Sequence, residues 1–190
     1  MAAEDVLVAS PATGTGGILA GDLGSALPTD AQTELDTSLT PHGYVGEDGL
    51  TMTTNRSTER IRAWGGSTVR VVQTEHDTTF AFVLLETNKA TAEAVFGEGN
   101  VVETPADASS GKKLDIVVTD DVLPHKAWVF NIKDGDKRAR VVVPNGQITE
   151  VGETQFVHSN ATGWQVTLEA FEDESGAKAY IYYDDGKPTS

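Results

Sequence analysis

Four histidines, a glycine pair behind a short apolar run, and two Asp-centred triplets are the residues of this sequence whose types could do chemistry. His42, His76, His125 and His158 are far apart, with no i, i+4 pair and no HxH. Metal ligands normally announce themselves by closer spacing, although a fold can still gather distant ones. Gly14-x-Gly16 follows the run 5-DVLVA-9, but no helix pattern opens behind it and no Gly-Lys-Ser/Thr ending follows, so it reads as loop rather than phosphate cradle. Asp36-Thr37-Ser38 lacks the buried apolar flanks that an acid pair needs to split its pKa values, and reads as a loop acid. Asp134-Gly135-Asp136 has too few regularly spaced oxygens for calcium, and a hairpin turn accounts for it. No cofactor and no metal is expected, and no catalytic residue is assigned.

A different kind of chemistry is concentrated in 43-GYVGEDGLTMTTNRSTERIRAWGG-66. No Lys or Arg precedes Arg56; then Arg56, Arg60, Arg62 and Arg70 come close together around Glu59 and Trp64. Arg is favoured for bidentate interface pairs, and Trp for burial at contacts. Arg56, Arg60, Arg62 and Trp64 are therefore expected at or near a subunit contact. A nucleic-acid patch is disfavoured by the charge: 29 acidic against 14 basic residues, formally -15 in all.

There is no cysteine, which excludes disulfides, thiolate metal sites and a Cys nucleophile. The start lacks a basic region followed by a long apolar one, so no secretory leader is expected, and no run is long enough for a membrane helix. The sequons at Asn55 and Asn160 are then read as chance.

The elements that must carry these residues are mostly strands. The chain of 190 residues suffices for one sizeable core and reads as a single domain over 1–190, with 10–49 as a loop or arm region and 185–190 as a short tail. Strands are predicted at 5–9, 50–54, 57–64, 67–74, 78–86, 113–119, 126–133, 137–144, 146–157, 163–172 and 178–184, with turns at 75–77, 134–136 and 174–177. Residues 87–97 are the one helix pattern, with Asn88 as N-cap, the helix at about 88–96, and Gly97 as stop. The fold class is mainly β, a sandwich or barrel-like domain with one short flanking helix.

Several of these stretches, in this order, resemble the major tail proteins of long, non-contractile-tailed bacteriophages. The resemblance rests on Ile61-Arg62-Ala63-Trp64, Leu85-Glu86-Thr87, Phe96-Gly97, Ile148-Thr149-Glu150-Val151-Gly152 and Trp164-Gln165-Val166-Thr167-Leu168-Glu169-Ala170. It covers roughly 43–172. It implies a tail-tube subunit that forms six-fold rings, stacked into a tube that carries the genome to the host. It also implies a place in the virion tail after assembly in the host cytoplasm, with tape-measure and terminator or initiator proteins as partners. DNA would pass without specific binding, and an acidic lining suits that passage. Asp134 and Asp136, with the hairpin 126–143, are the candidates for the lumen face, although Lys133, Lys137, Arg138 and Arg140 of the same hairpin suit a lumen poorly. The competing readings are a solitary β-sandwich module binding carbohydrate through its aromatics, and a ring protein of a bacterial secretion tube.

Overall fold

The computed structural model describes residues 6–12, 16–159 and 161–188. The strands are β1 (Ser10–Pro11), β2 (Ile18–Asp22), β3 (Thr40–Pro41), β4 (Thr51–Arg62), β5 (Thr68–Leu84), β6 (Val101–Thr104), β7 (Lys113–Ile116), β8 (Lys126–Asp134), β9 (Lys137–Val151), β10 (Trp164–Ala170) and β11 (Tyr180–Asp184). The helix α1 spans Lys89–Phe96, followed by a single 3-10 turn. The fold is mainly β and sandwich-like with one short helix, in agreement with the sequence pattern.

The hairpin β8–β9 is the spine. Gly135, at φ 60°, lies between the two strands, the positive φ that an Asp-Gly turn supplies. The first half of β9 pairs β8 and β11; β8 pairs β2 and β1 on its other side. The second half of β9 leaves for β10, which pairs β5, which pairs β4. The sequence pattern suggested two strands at 137–144 and 146–157. Instead β9 runs through Pro144 as one strand of 15 residues, with a register shift opposite, between Lys126 and Trp128. Proline cannot donate to a ladder, and a bulge is where a sheet tolerates it.

β9 thus belongs to both layers, and the core lies between them. Phe80, Phe82, Leu84, Val166 and Leu168 from one layer meet Ile18, Trp128, Phe130 and Val143 from the other. Phe80 and Phe82 both approach Phe130 with ring centroids 5.5 Å apart. The other face of β8–β9 is covered too: Leu27, Leu35 and Leu39 pack on Leu19, Val129 and Val142. Arg140 reaches up from β9 and donates to the carbonyls of Asp30 and Thr33 at 3.0 Å each, while its Nε donates to Asn131 Oδ1 at 2.7 Å. Burial pulls the Arg140 pKa down, with Asp30 acting the other way.

α1 closes one end. Asn88 Oδ1 accepts from Thr91 N at 2.9 Å, the N-cap read from the sequence, and Gly97 ends the helix at φ 94°. Residues 6–9 form no strand, and residue 5 lies outside the described residues, as do Gly14 and Asn160.

Candidate functional site: a projecting two-stranded ribbon

The largest departure from the sequence pattern is at 75-EHD-77, predicted as a turn. β5 runs straight through it for 17 residues, and the reversal comes instead at Ala63–Ser67. Ala63 N donates to Ser67 O at 2.8 Å and Gly66 N to Ala63 O at 2.9 Å. Gly65 and Gly66 hold φ of 107° and 90°, which side chains rarely adopt. Arg62 Nη1 closes the turn by donating to Gly66 O at 3.1 Å.

β4 and β5 pair from Thr51↔Ala81 out to Arg62↔Thr68, but β10 flanks β5 only from Thr78 to Leu84. Beyond Thr78 the two strands have no third neighbour. A ribbon of residues 55–77 therefore leaves the sandwich, roughly 30 Å long at the usual rise per residue. Every residue of β4 is exposed, and Trp64 at the apex is fully so, at 105%. The root is clamped by Lys178, whose Nζ lies 3.6 Å from Asp77 Oδ1 and donates to His76 O.

Paired residues of an antiparallel ladder share a face. Met52 pairs Phe80, Arg56 pairs His76, Arg60 pairs Val71 and Arg62 pairs Thr68. Arg56, Arg60 and Arg62 thus lie on the face that is core-facing at Phe80, where no opposing layer remains to cover it. The other face carries Glu59, Ile61, Arg70 and Val72. Among the described residues none of the four arginines makes an ion pair within the chain. The sequence grouped Arg56, Arg60, Arg62 and Trp64 by residue type and closeness, and all four stand on this ribbon and its turn. It missed that they stand on a free-standing ribbon with Val69 and Val71.

The other sequence candidates are dispersed. His42 is buried against Trp128, His76 sits at the ribbon root, His125 Nδ1 lies 2.6 Å from Asn145 Oδ1, and His158 is exposed. Among the described residues no group of three His, Asp or Glu is placed to hold a metal ion. Asp36 accepts from Ser38 N at 2.9 Å, which holds its carboxyl below the usual range. Asp134 accepts from Val8 N at 2.9 Å at the β8–β9 turn, with Asp136 exposed beside it.

A second surface stands out. The segment after β7, the end of β9 and residues 152–156 enclose an open groove of about 680 Å³ against α1. Its floor includes Phe96 and Trp164, in an edge-to-face contact. No helix among the described residues is long and apolar enough to cross a membrane.

The described residues form a layered β body from which a long two-stranded ribbon projects. Comparison gives it a family: a family model described as phage tail tube protein matches residues 1–189, and the chain belongs to that family. It is a structural component of a virion tail. No curated protein matches the chain. Among solved structures it is similar to the anti-feeding prophage cap, described as the tube terminating cap, at 12% identity and a TM-score of 0.42, over 97% of this chain and 100% of that one.

Proposed function

We propose that the chain is the repeating wall subunit of a long, non-contractile phage tail and acts without catalysis. Copies form six-fold rings, and rings stack into a tube through which genomic DNA passes. The observation that carries this reading is the ribbon. A lone two-stranded hairpin is marginal in water. One that exposes Trp64, Ile61, Val69 and Val71 with unpaired arginines is built to be covered by a neighbour. Arg56, Arg60, Arg62 and Trp64 are the contact residues in this reading. The outer edge of β4 is a free ladder at one end of the sheet, and it supports closure of sheets from neighbouring copies into a barrel.

DNA must slide, so its wall should offer phosphate no cations. Asp134 and Asp136 at the β8–β9 turn are the acids proposed for the lumen. The solvated face of the second layer is a further stretch of the same character: Thr51, Thr79, Thr167 and Glu169 fall on it by register, without Lys or Arg among them. Tape-measure and terminator or initiator proteins are the proposed partners, with assembly in the host cytoplasm.

Electron microscopy of the purified protein over a concentration series, with light scattering, tests the reading. Rings or hollow tubes of uniform width are expected, and Trp64→Ala should shorten or abolish them. A protein that stays monomeric with an initiator complex present, or a Trp64→Ala variant that makes full-length tubes, would count against it. A tube map with Asp134 and Asp136 on the outer surface would remove them from the lumen.

A further inference from the structure

The ribbon is apolar and basic at its tip, and the same chain carries a groove that is apolar within and acidic at its rim. Val118, Val122 and Phe156 wall the groove while being 77%, 86% and 83% exposed. Apolar side chains left so open around a concavity mark an interaction site. The charged residues lining it are Asp120, Asp121 and Glu150, with no Lys or Arg among them. Asp121 accepts from Thr119 Oγ1 at 2.7 Å and from Asn100 Nδ2 at 3.4 Å, bonds that lower its pKa.

We propose that this groove receives the ribbon tip of another copy of the chain. Trp64 enters against Phe96 and Trp164, and the ribbon arginines meet Asp120, Asp121 and Glu150. The proposal deepens the assembly reading above and rests on it. Charge complementarity selects the occupant. Residues 55–74 hold four arginines against one acid, Glu59, in a chain whose formal charge is -15. The outer part of the ribbon is therefore a local cation on an anionic protein, with Glu75 and Asp77 held back at its root, and the groove is an anionic rim around an apolar floor. An aromatic anchor in a dry pocket, ringed by Arg–carboxylate pairs, is the arrangement that concentrates binding energy at interfaces. It also gives the otherwise unpaired arginines their partners.

The absence of cysteine allows a direct test. Ser67→Cys marks the ribbon turn, Val122→Cys the groove, and Ala108→Cys an exposed loop elsewhere. Each is made alone; variants are mixed under assembly conditions, tubes are confirmed by microscopy, and the sample is oxidised. The expected result is a covalent dimer in the Ser67→Cys plus Val122→Cys mixture, severalfold above either variant alone and above the Ser67→Cys plus Ala108→Cys mixture. Tubes without that excess overturn the groove assignment and leave the assembly reading standing. Absence of tubes from the unsubstituted chain as well, with an initiator complex present, overturns both. A charge exchange gives the second arm: Glu150→Arg should raise the concentration needed for tubes by roughly tenfold, and adding Arg60→Glu should restore much of it. No restoration, with both singly substituted subunits folded, overturns the proposed pairing of these charges.

Discussion

Trp164 of β10 meets Phe96 at the end of α1 edge-to-face, with ring centroids 5.6 Å apart and planes at 89°. This geometry places the positive ring edge on the negative face of its partner and contributes beyond area burial. It joins the burial of Ala92, Ala94 and Val95 in fixing the only α-helix among the described residues to the sandwich. Trp164→Ala should therefore destabilise the subunit by about 3–5 kcal/mol, the usual cost of emptying a large aromatic site. In a chain of this size that corresponds to a fall in Tm of roughly 6–20 °C. Thermal unfolding of the monomer is the measurement, and a shift of only a degree or two would show that this contact does not hold the helix.

His42 lies stacked on Trp128 at 5.6 Å, and neither of its ring nitrogens has a hydrogen-bond partner among the described residues. Burial, and then the charge of Lys126, lower its pKa from 6.5 to about 4. Between those values the unfolded chain binds a proton that the folded chain refuses. Stability is then highest above pH 6.5 and is lost as pH falls through that window towards 4, by about 2 kcal/mol between pH 7 and pH 5. The Asp107 and Asp173 carboxyls, held at about 2 by hydrogen bonds led by Ser109 N and Tyr180 Oη respectively, act in a lower window, between about 3.8 and 2. Denaturant midpoints of the wild type and His42→Phe, compared from pH 7.5 to 5, separate the two. The variant should lose the slope above pH 5, and parallel profiles would assign that slope elsewhere.

The two layers and the helix were legible because their signals are local. Alternation in 163–172 and 178–184, the Asp-Gly turn at 134–136 and the Asn88 and Gly97 caps each depend on a few neighbours. The ribbon was not legible, for a physical reason. In a strand with a buried face, polar and apolar residues alternate, whereas a ribbon exposed on both faces has no such pattern. His76 and Asp77 therefore looked like a loop, and the true turn was marked only by Gly65 and Gly66. Likewise, nothing in 23–39 announces that Leu27, Leu35 and Leu39 cover the second face of β8–β9; that contact is long-range. The ribbon residues Arg56, Arg60, Arg62 and Trp64 were found by type, but their joint projection was not.

Gly43 holds φ 75°, and a Cβ there would sit 2.0 Å from the Glu86 carboxylate carbon. That carboxylate accepts from Tyr44 N at 3.1 Å and from the Asn88 amide at 2.9 Å, tying the lead-in segment to the helix cap. Gly43→Ala should cost about 1–3 kcal/mol through backbone strain and displacement of Glu86. Glu86→Ala removes the clashing group, so the double variant should cost less than the two single ones added together. A double-mutant cycle from denaturant unfolding measures this; strict additivity would mean that the two residues do not act on each other.

The ribbon should be the least protected part of the free subunit. Its strands have one neighbour each, its apolar side chains are in water, and the outward amides of β4 have no ladder. Local opening needs only the loss of β4–β5 pairing beyond Thr78, with no loss of the Phe80–Phe130 core. Hydrogen exchange in the monomer should thus find amides 55–62 and 68–76 exchanging orders of magnitude faster than those of β8 and β10. If another copy covers the ribbon, the same amides should become slow in assembled tubes while β8 changes little. Ribbon amides already as protected as β8 in the monomer would mean that the hairpin is stable alone. Amides still fast in tubes would mean that it projects into solvent, and the subunit contact would then lie on the sheet edges.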